Sequence, residues 1–259
     1  MDIKSFESLF ARLDDLKKCA IRGNLGISAF LSPREIYASE RYLNGSGASF
    51  IAFGGYADAE RKRIYILPEF IEAASDISVV EEYGYSSGID ALLIKGSGFE
   101  SLSHRAVMGS LLGLGVERDV LGDIILQSEN SAIVLCDAKM TSFFESSIER
   151  IGRDKVSVTR IELDAQLVPA RQFLHISDTV ASPRLDCIVA ALCSLSRERA
   201  REKVSDALVE LNYECEERPD KEVNAPAVIS VRGIGKFRVL SVSDKTRKGR
   251  YRLIAEKYL

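Results

Sequence analysis

The 259-residue chain is poor in the residues that build metal and redox sites. It has two histidines, His104 and His175, and five cysteines, Cys19, Cys136, Cys187, Cys193 and Cys215, with no C-x-x-C pair among them. A structural zinc site needs four such ligands at close spacing, so neither a metal nor any other cofactor is expected. An odd, scattered set of cysteines argues against a disulfide framework and for a reducing, cytoplasmic setting. No run approaches the roughly 18 apolar residues of a membrane span. Met1–Phe10 carries Asp2 and Glu7 and lacks an apolar signal core, so export is not expected. There is no internal repeat and no low-complexity segment. Apolar residues at 46% and charged residues at 28% are ordinary for a soluble globular chain, and the length suggests two or three compact units.

Charge is unevenly spread. The whole chain stands at −3. Residues 176–259 hold 16 Lys/Arg and 13 Asp/Glu, a balance of +3, so the remainder stands at −6. Residues 229–259 hold nine basic and two acidic residues, a balance of +7. A basic end on an acidic protein points to a polyanion partner for that end. Phe237, Val239, Leu240, Tyr251, Leu253 and Ile254 are interleaved with these charges, which argues against a disordered tail.

The hydrophobic pattern predicts an α+β protein of three modules, over 1–75, 76–168 and 180–259. In the first, Phe6, Leu9, Phe10, Leu13 and Leu16 recur at helical spacing. Ser32, Pro33 and Glu35 open a second helix with a capping box. Short strands are expected at Ser49–Phe53 and Ile64–Leu67. The second module reads β-α-β-β-α-β, the order of a ferredoxin-like, RRM-like plait. Its strands are expected at Ile89–Lys95, Asp123–Leu126, Ala132–Cys136 and Val156–Ile161. Its helices are expected at Ser103–Leu114 and Met140–Ile151, the second capped by Gly152. Stacking aromatics on the central strands are not evident. Asp164–Thr179 reads as a linker. The third module is expected to open with Ser182-Pro183 as cap and first helical residue. Leu185, Ile188, Val189 and Leu192 then form a buried stripe. Ser196 caps the next helix, whose stripe is Ala200, Val204, Ala207, Leu208 and Leu211. Alternating strands follow Pro226, punctuated by Gly233 and Gly235.

The strongest pattern runs from Arg184 to Val239. Arg184-Leu185-Asp186 stands at the first helix, Ser196-Arg197 at the start of the second, then Ala200-Arg201, the Asn212 turn and the Ile229-Ser230-Val231 strand. This ordered set resembles the S4 RNA-binding domain, of αL type. Two positions depart from that pattern. The usual glycine before the Asn-containing strand is replaced near Ala207, and the usual Gly-Asp before the later strand is Pro226-Ala227. The basic positions are intact. Arg197 and Arg201 lie four apart on one helix face, and Arg199 and Lys203 share a neighbouring one. Like charges at that spacing repel by about 0.2–0.5 kcal/mol per pair, and a phosphate backbone relieves them unless Glu198 and Glu202 already do so. The guanidinium fork suits bidentate phosphate contact. The residues expected to touch RNA are Arg184, Ser196, Arg197, Arg199, Arg201, Lys203, Asn212, Arg232, Lys236, Arg238, Lys248 and Arg250. Arg61 and Lys62 are read as structural or peripheral.

The remaining motifs widen the resemblance. Phe30–Glu35 (FLSPRE), Phe53–Arg63 (FGGYADAERKR) and Leu102–Ile124, with His104-Arg105 opening a helix and Leu112-Gly113-Leu114-Gly115 closing it, are similar to the bacterial YlmH-type S4 proteins over nearly the whole chain. That resemblance implies a monomeric, non-catalytic protein that binds rRNA and tRNA. It also implies ribosome-associated quality control on large ribosomal subunits carrying peptidyl-tRNA. The competing class is an RNA-modifying enzyme tethered by an S4 domain, a pseudouridine synthase or a methyltransferase. The first needs its aspartate in a separate Gly-Arg-Leu-Asp context, whereas Asp186 belongs to the S4-like helix and is expected to cap or pair. The second needs a glycine-rich loop after a strand, whereas Leu112–Gly115 follows a helix. A third class, an adaptor protein in cell division, is separated from both by a nucleic-acid pull-down.

Overall fold

A computed structural model describes residues 6–71, 76–162, 168, 172–245 and 249–259. The chain divides into two compact units, Asp2–Pro169 and Ala170–Leu259. The segments 1–75 and 76–168 thus lie in one unit, each with its own sheet.

The first unit opens with α1 (Glu7–Ile21), β1 (Gly26–Ile27), α2 (Pro33–Ser46), β2 (Phe50–Phe53) and β3 (Arg63–Ile66). The strands form an antiparallel sheet in the order β1-β3-β2. Leu9 and Leu13 of α1 pack with Ile36 and Leu43 of α2 and with Ile64 and Ile66 of β3. The capping box is formed. Ser32 Oγ accepts from the Glu35 N–H at 3.4 Å, and the Glu35 carboxylate accepts from the Ser32 N–H at 2.8 Å. Tyr42 stacks on Phe10 at 4.4 Å and donates to Asp14 at 2.8 Å, fixing α1 against α2.

After the short helix α3 (Ser78–Glu82) come β4 (Ile89–Gly96), α4 (His104–Gly113), β5 (Leu121–Ser128), β6 (Ser131–Asp137), α5 (Thr141–Ser147), β7 (Arg150–Ile151) and β8 (Asp154–Ile161). Their sheet has the order β5-β6-β4-β8-β7, with every neighbour antiparallel. Val107 and Leu111 of α4 and Phe144 of α5 cover Leu92, Ile94 and Val134 on one face. The expected helix over Met140–Ile151 is shorter: it ends at Ser147, and Ile148 is extended. Ile148 and Ile151 are both buried at a helix-like spacing, but Ile151 pairs with Asp154 in a hairpin. Gly152, at φ +60°, turns that hairpin and caps no helix.

The second unit comprises β9 (Phe173–Val180), α6 (Leu185–Cys193), α7 (Arg197–Ser205), β10 (Val209–Leu211), β11 (Glu214–Cys215), β12 (Ala227–Val231), β13 (Gly235–Lys245) and β14 (Tyr251–Tyr258). They build one antiparallel sheet in the order β11-β10-β12-β13-β14-β9. The stripe Leu185, Ile188, Val189 and Leu192 packs with Ala200 and Val204 of α7 onto Ile229, Val231, Phe237, Val239 and Leu253.

Three expectations are corrected here. The stretch read as a linker contains β9, which pairs with β14 from Tyr251↔Val180 to Tyr258↔Phe173. Polar residues on both of its faces hide the period of two. Residues 163–167 and 169–171, Pro169 included, lie outside the described residues. Helix α6 begins at Leu185, two residues later than Pro183 suggested. Its first N–H groups are satisfied by the 219–221 loop: Leu185 donates to the Lys221 carbonyl at 2.8 Å and Asp186 to that of Pro219 at 2.9 Å. Ser182 instead lies 3.4 Å from the Cys187 sulfur. Finally, α7 ends at Ser205, and Ala207 sits outside the helix at φ +56°.

A left-handed alanine costs about 1–2 kcal/mol. Ala207→Gly removes that cost and adds back about 0.5–1 kcal/mol of unfolded-chain freedom. The net expectation is a stabilisation of about 0.5–1 kcal/mol, or a midpoint raised by about 2–6 °C for a unit of this size, measured by calorimetry. A lowered midpoint would contradict the assignment of strain to this residue.

Candidate nucleic-acid interface

The expected RNA-contacting residues converge most closely where α6 and α7 begin. Asp186, in the first turn of α6, is 1% exposed. It accepts two hydrogen bonds from Arg184, both at 3.1 Å, and one from Arg197 Nε at 3.3 Å. The arginine side chains themselves reach solvent, at 38% and 60% exposure. A buried carboxylate thus holds two outward guanidinium groups in place. Burial pushes the Asp186 carboxyl up. Hydrogen bonds from Arg184 and Cys187 and the charges of Arg184 and Arg197 outweigh that, and its pKa lies below the ordinary value. Asp186 therefore pairs, as its place in the helix implied.

Arg197 also lines a cleft of about 380 Å³ with Arg250, Ser194, Asp178 and Thr179. Arg250 donates to the Thr179 carbonyl at the end of β9. Arg184, Arg197 and Arg250 are thereby brought to one region. Arg199 and Arg201 project from α7 as exposed residues, and Lys203 is half-buried. Neither Glu198–Arg201 nor Arg199–Glu202 closes to an ion pair among the described residues. Arg199 and Arg201 thus keep their charge on the exposed side of α7, while Arg197 is paired with Asp186.

Other expected residues serve the fold. The Ser196 hydroxyl caps α7 by accepting from the Arg199 N–H at 3.3 Å. Asn212 and Tyr213, at φ +50° and +66°, make the turn between β10 and β11. The Asn212 side-chain oxygen accepts from the Val228 N–H at 2.8 Å. Arg232 is exposed beyond β12, and its backbone N–H donates to Leu208. Lys248 lies outside the described residues.

Lys236 and Arg238 lie on the sheet face turned away from α6 and α7. On β12 and β13, Ala227, Ile229, Val231, Phe237 and Val239 are buried against the helices, so the alternate positions face outward. Lys236 Nζ stands 5.3 Å from the Tyr213 ring centre and 5.1 Å from that of Tyr258. Arg238 lies 4.8 Å over Phe173 and bonds Glu256 Oε2 at 2.6 Å. His175 approaches the same carboxylate at 3.2 Å. Tyr213, Tyr258, Phe173, Glu256 and His175 were absent from the expected site. Period-two alternation signals their face, but only once the distant strands β9 and β14 are known to pair.

In the first unit the motif segments come together around a cleft of about 660 Å³ lined by Phe30, Glu35, Arg61, His104, Arg118 and Asp123, among others. Arg61 is structural, as read: it donates to the carbonyls of Leu121 at 2.7 Å, Phe30 at 3.0 Å and Arg118 at 3.0 Å. Asp123 accepts from Tyr56 Oη and from the Glu60 and Arg61 N–H groups. A Cβ on Gly122 would stand 2.9 Å from both Phe30 and Leu135, so glycine is required for this approach. Gly115, at φ +81°, ends the α4 turn, and His104 and Arg105 are exposed on its first turn. The sheet face opposite α4 and α5 is apolar: Ala91, Ile125, Ile133 and Leu135 are buried, with Tyr56 packed on them. That face offers no stacking ring on its central strands.

Among the described residues no helix is long and apolar enough to cross a membrane. Residues 90–165 match the family model described as "Putative RNA-binding domain in YlmH". The chain is 29% identical over 231 residues to the "Ribosome-associated protein quality control protein P2" of Bacillus subtilis, covering 89% of this chain and 86% of that protein. Its fold is similar to that of the "Cell division protein ylmH from Streptococcus pneumoniae", with a TM-score of 0.51 at 19% identity, over 62% of this chain and 93% of that one. The class these likenesses define is a mixed α/β protein with a segment similar to the domain that the family model describes as RNA-binding. Within that class, the resemblance to YlmH-type proteins drawn from the motifs is shown by the three likenesses together.

Because the Asp186 pKa is lowered in the folded protein, its contribution to stability is present above the unfolded value of about 3.9 and is lost as pH falls through the folded value. Asp186→Asn is expected to cost about 1–3 kcal/mol at neutral pH, discounted within that range for its exposed partners. The deficit should shrink below about pH 4 as the wild-type carboxylate protonates. Urea unfolding at neutral and acid pH measures both. Equal stabilities at neutral pH would mean that the two arginines are held by something else.

Proposed function

We propose that this is a non-catalytic RNA-binding protein whose residues 180–259 form an S4 domain. Residues 1–75 and a ferredoxin-like plait over 76–168 accompany it. The observation that carries the reading is the pair Arg184 and Arg197, anchored on buried Asp186 while their guanidinium groups face solvent, with Arg250 in the cleft beside Arg197 and Arg201 exposed on α7. Fixed guanidinium groups meet a phosphate backbone without the ordering cost that mobile side chains incur. Contacts of this kind position a protein by backbone and shape, as structured RNA requires. The name of the Bacillus subtilis relative points to the ribosome. Our reading is that the protein acts as a monomer in the bacterial cytoplasm. Its target is rRNA and tRNA on large subunits that carry peptidyl-tRNA, in ribosome-associated quality control. A basic end that anchors on RNA lets the acidic remainder reach neighbouring surfaces and raises effective concentration.

The experiment joins affinity to sedimentation. With about four phosphate contacts, affinity for a folded RNA falls roughly 100-fold between about 50 and 200 mM salt. Arg199→Glu with Arg201→Glu should weaken binding sharply and leave the thermal midpoint nearly unchanged, since exposed charges contribute little to stability. Arg197→Glu, by contrast, should abolish binding and lower the midpoint as well, because Arg197 pairs with buried Asp186. In extracts of cells with stalled ribosomes, the wild-type protein should travel with large subunits and the double variant should stay at the top of the gradient. Wild-type protein confined to the top fractions would overturn the ribosomal reading. A flat salt response would overturn RNA binding itself.

A further inference from the structure

We infer that the outer face of the second unit's sheet is a binding site for unpaired RNA nucleotides, distinct from the arginines at the helix ends. The inference rests on the RNA-binding reading and adds a second kind of contact to it. Tyr258 pairs with Phe173 across β14 and β9, Lys236 lies against the Tyr258 ring, and Arg238 pairs with Glu256 in the neighbouring row. Phe173 and Tyr258 meet edge to face, with ring centres 5.1 Å apart. The Lys236 ammonium stands over two tyrosine rings, Tyr213 and Tyr258, and the Arg238 guanidinium over Phe173. Glu256, 7% exposed, fixes Arg238 as Asp186 fixes Arg184.

This arrangement has the chemistry of a single-strand platform. Rings fixed at one height on a sheet present π surface to a base, and cations among them face the adjoining phosphates. Duplex RNA keeps its bases stacked inside and offers nothing to such rings, whereas unstacked bases fit them. Lys236, Tyr213, Tyr258, Phe173 and Arg238 are half-buried, so they are held in place and still reach solvent. The charge and the aromatic surface share one face, and together they select an unpaired nucleic-acid strand over an apolar peptide, which has no use for the cations.

The test uses the full chain and two probes, an unpaired RNA of about eight nucleotides, a length within the range of single-strand sites, and a hairpin of fully paired stem with a minimal loop. Tyr258→Leu should weaken binding of the unpaired strand by about fivefold to a hundredfold, the loss of one stacked base. It should leave the hairpin affinity unchanged. Tyr258→Phe should restore it, which separates the ring from any effect on folding, and Lys236→Gln should lower the salt dependence for the unpaired strand. Arg199→Glu with Arg201→Glu, both exposed on α7, should show the converse preference and weaken the hairpin. If wild-type protein binds the hairpin but not the unpaired strand, or if Tyr258→Leu binds the unpaired strand as tightly as wild type, the inference is overturned and the RNA-binding reading stands. If neither probe binds, both fall together.

Discussion

A carboxylate in a protein interior must be compensated, because an unpaired charge there costs several kcal/mol. Asp186 meets that demand with two guanidinium groups, and much of the second unit is arranged around the pairing. Arg184 comes from the residue before α6 and Arg197 from the first residue of α7. The 219–221 loop closes over the same helix start by accepting its N–H groups. The two helix N-termini, their connecting turn and a loop some 30 residues onward are therefore tied to one buried charge. The same pairing that secures the fold sets the direction of the arginines, so structure and recognition rest on one interaction.

The first unit uses a different device. Arg61 donates to three carbonyls, and Asp123 accepts from one hydroxyl and two backbone N–H groups. Nearby, Arg63 lies 5.0 Å over Phe30, bonds the Gly88 carbonyl and pairs with Asp137. These contacts join segments that carry the family-like motifs. In this region the motifs describe how two sheets are locked together, and the glycine at 122 belongs to that packing. Burial beside Arg118 pushes the Arg61 pKa down, yet a guanidinium stays charged at any ordinary pH.

Local signals in the sequence were legible where one physical rule decided the outcome. The capping box at Ser32, the Ser103 and Ser196 caps and the stripe from Leu185 to Leu192 all follow from spacing alone. The helices and strands expected over 89–161 recur in order as β4-α4-β5-β6-α5-β8, with the unforeseen two-residue β7 between the last two. Errors arose where burial at i and i+3 mimicked a helix, as at Ile148 and Ile151, or where alternation was masked by polar residues, as in β9. Of the expected site, Arg184 and Arg197 are brought together, Asn212 and Ser196 hold backbone, and Lys236 and Arg238 lie on a separate face. The aromatic partners of that face were out of reach because they lie 22 to 65 residues from Lys236 and Arg238 in the chain. No local pattern encodes a pairing of that span.

Strand β14 lies between β13 and β9, and β9 precedes both helices in the chain. Tyr258 pairs with Phe173 across 85 residues, and Tyr251 with Val180 across 71. Contacts of such separation carry a large loop-closure cost before they return any stabilisation. The helices and the β12–β13 ribbon are assembled from nearer neighbours and have less to pay. The unit is thus expected to acquire its helical side early and its far edge late. A nascent chain that lacks residues 251–258 leaves β9 without the strand it pairs with among the described residues and one long side of β13 uncovered. The order of synthesis therefore bears on assembly: β14 follows the other strands of this sheet in the chain yet is an interior member of it, and its arrival joins β9 to the rest.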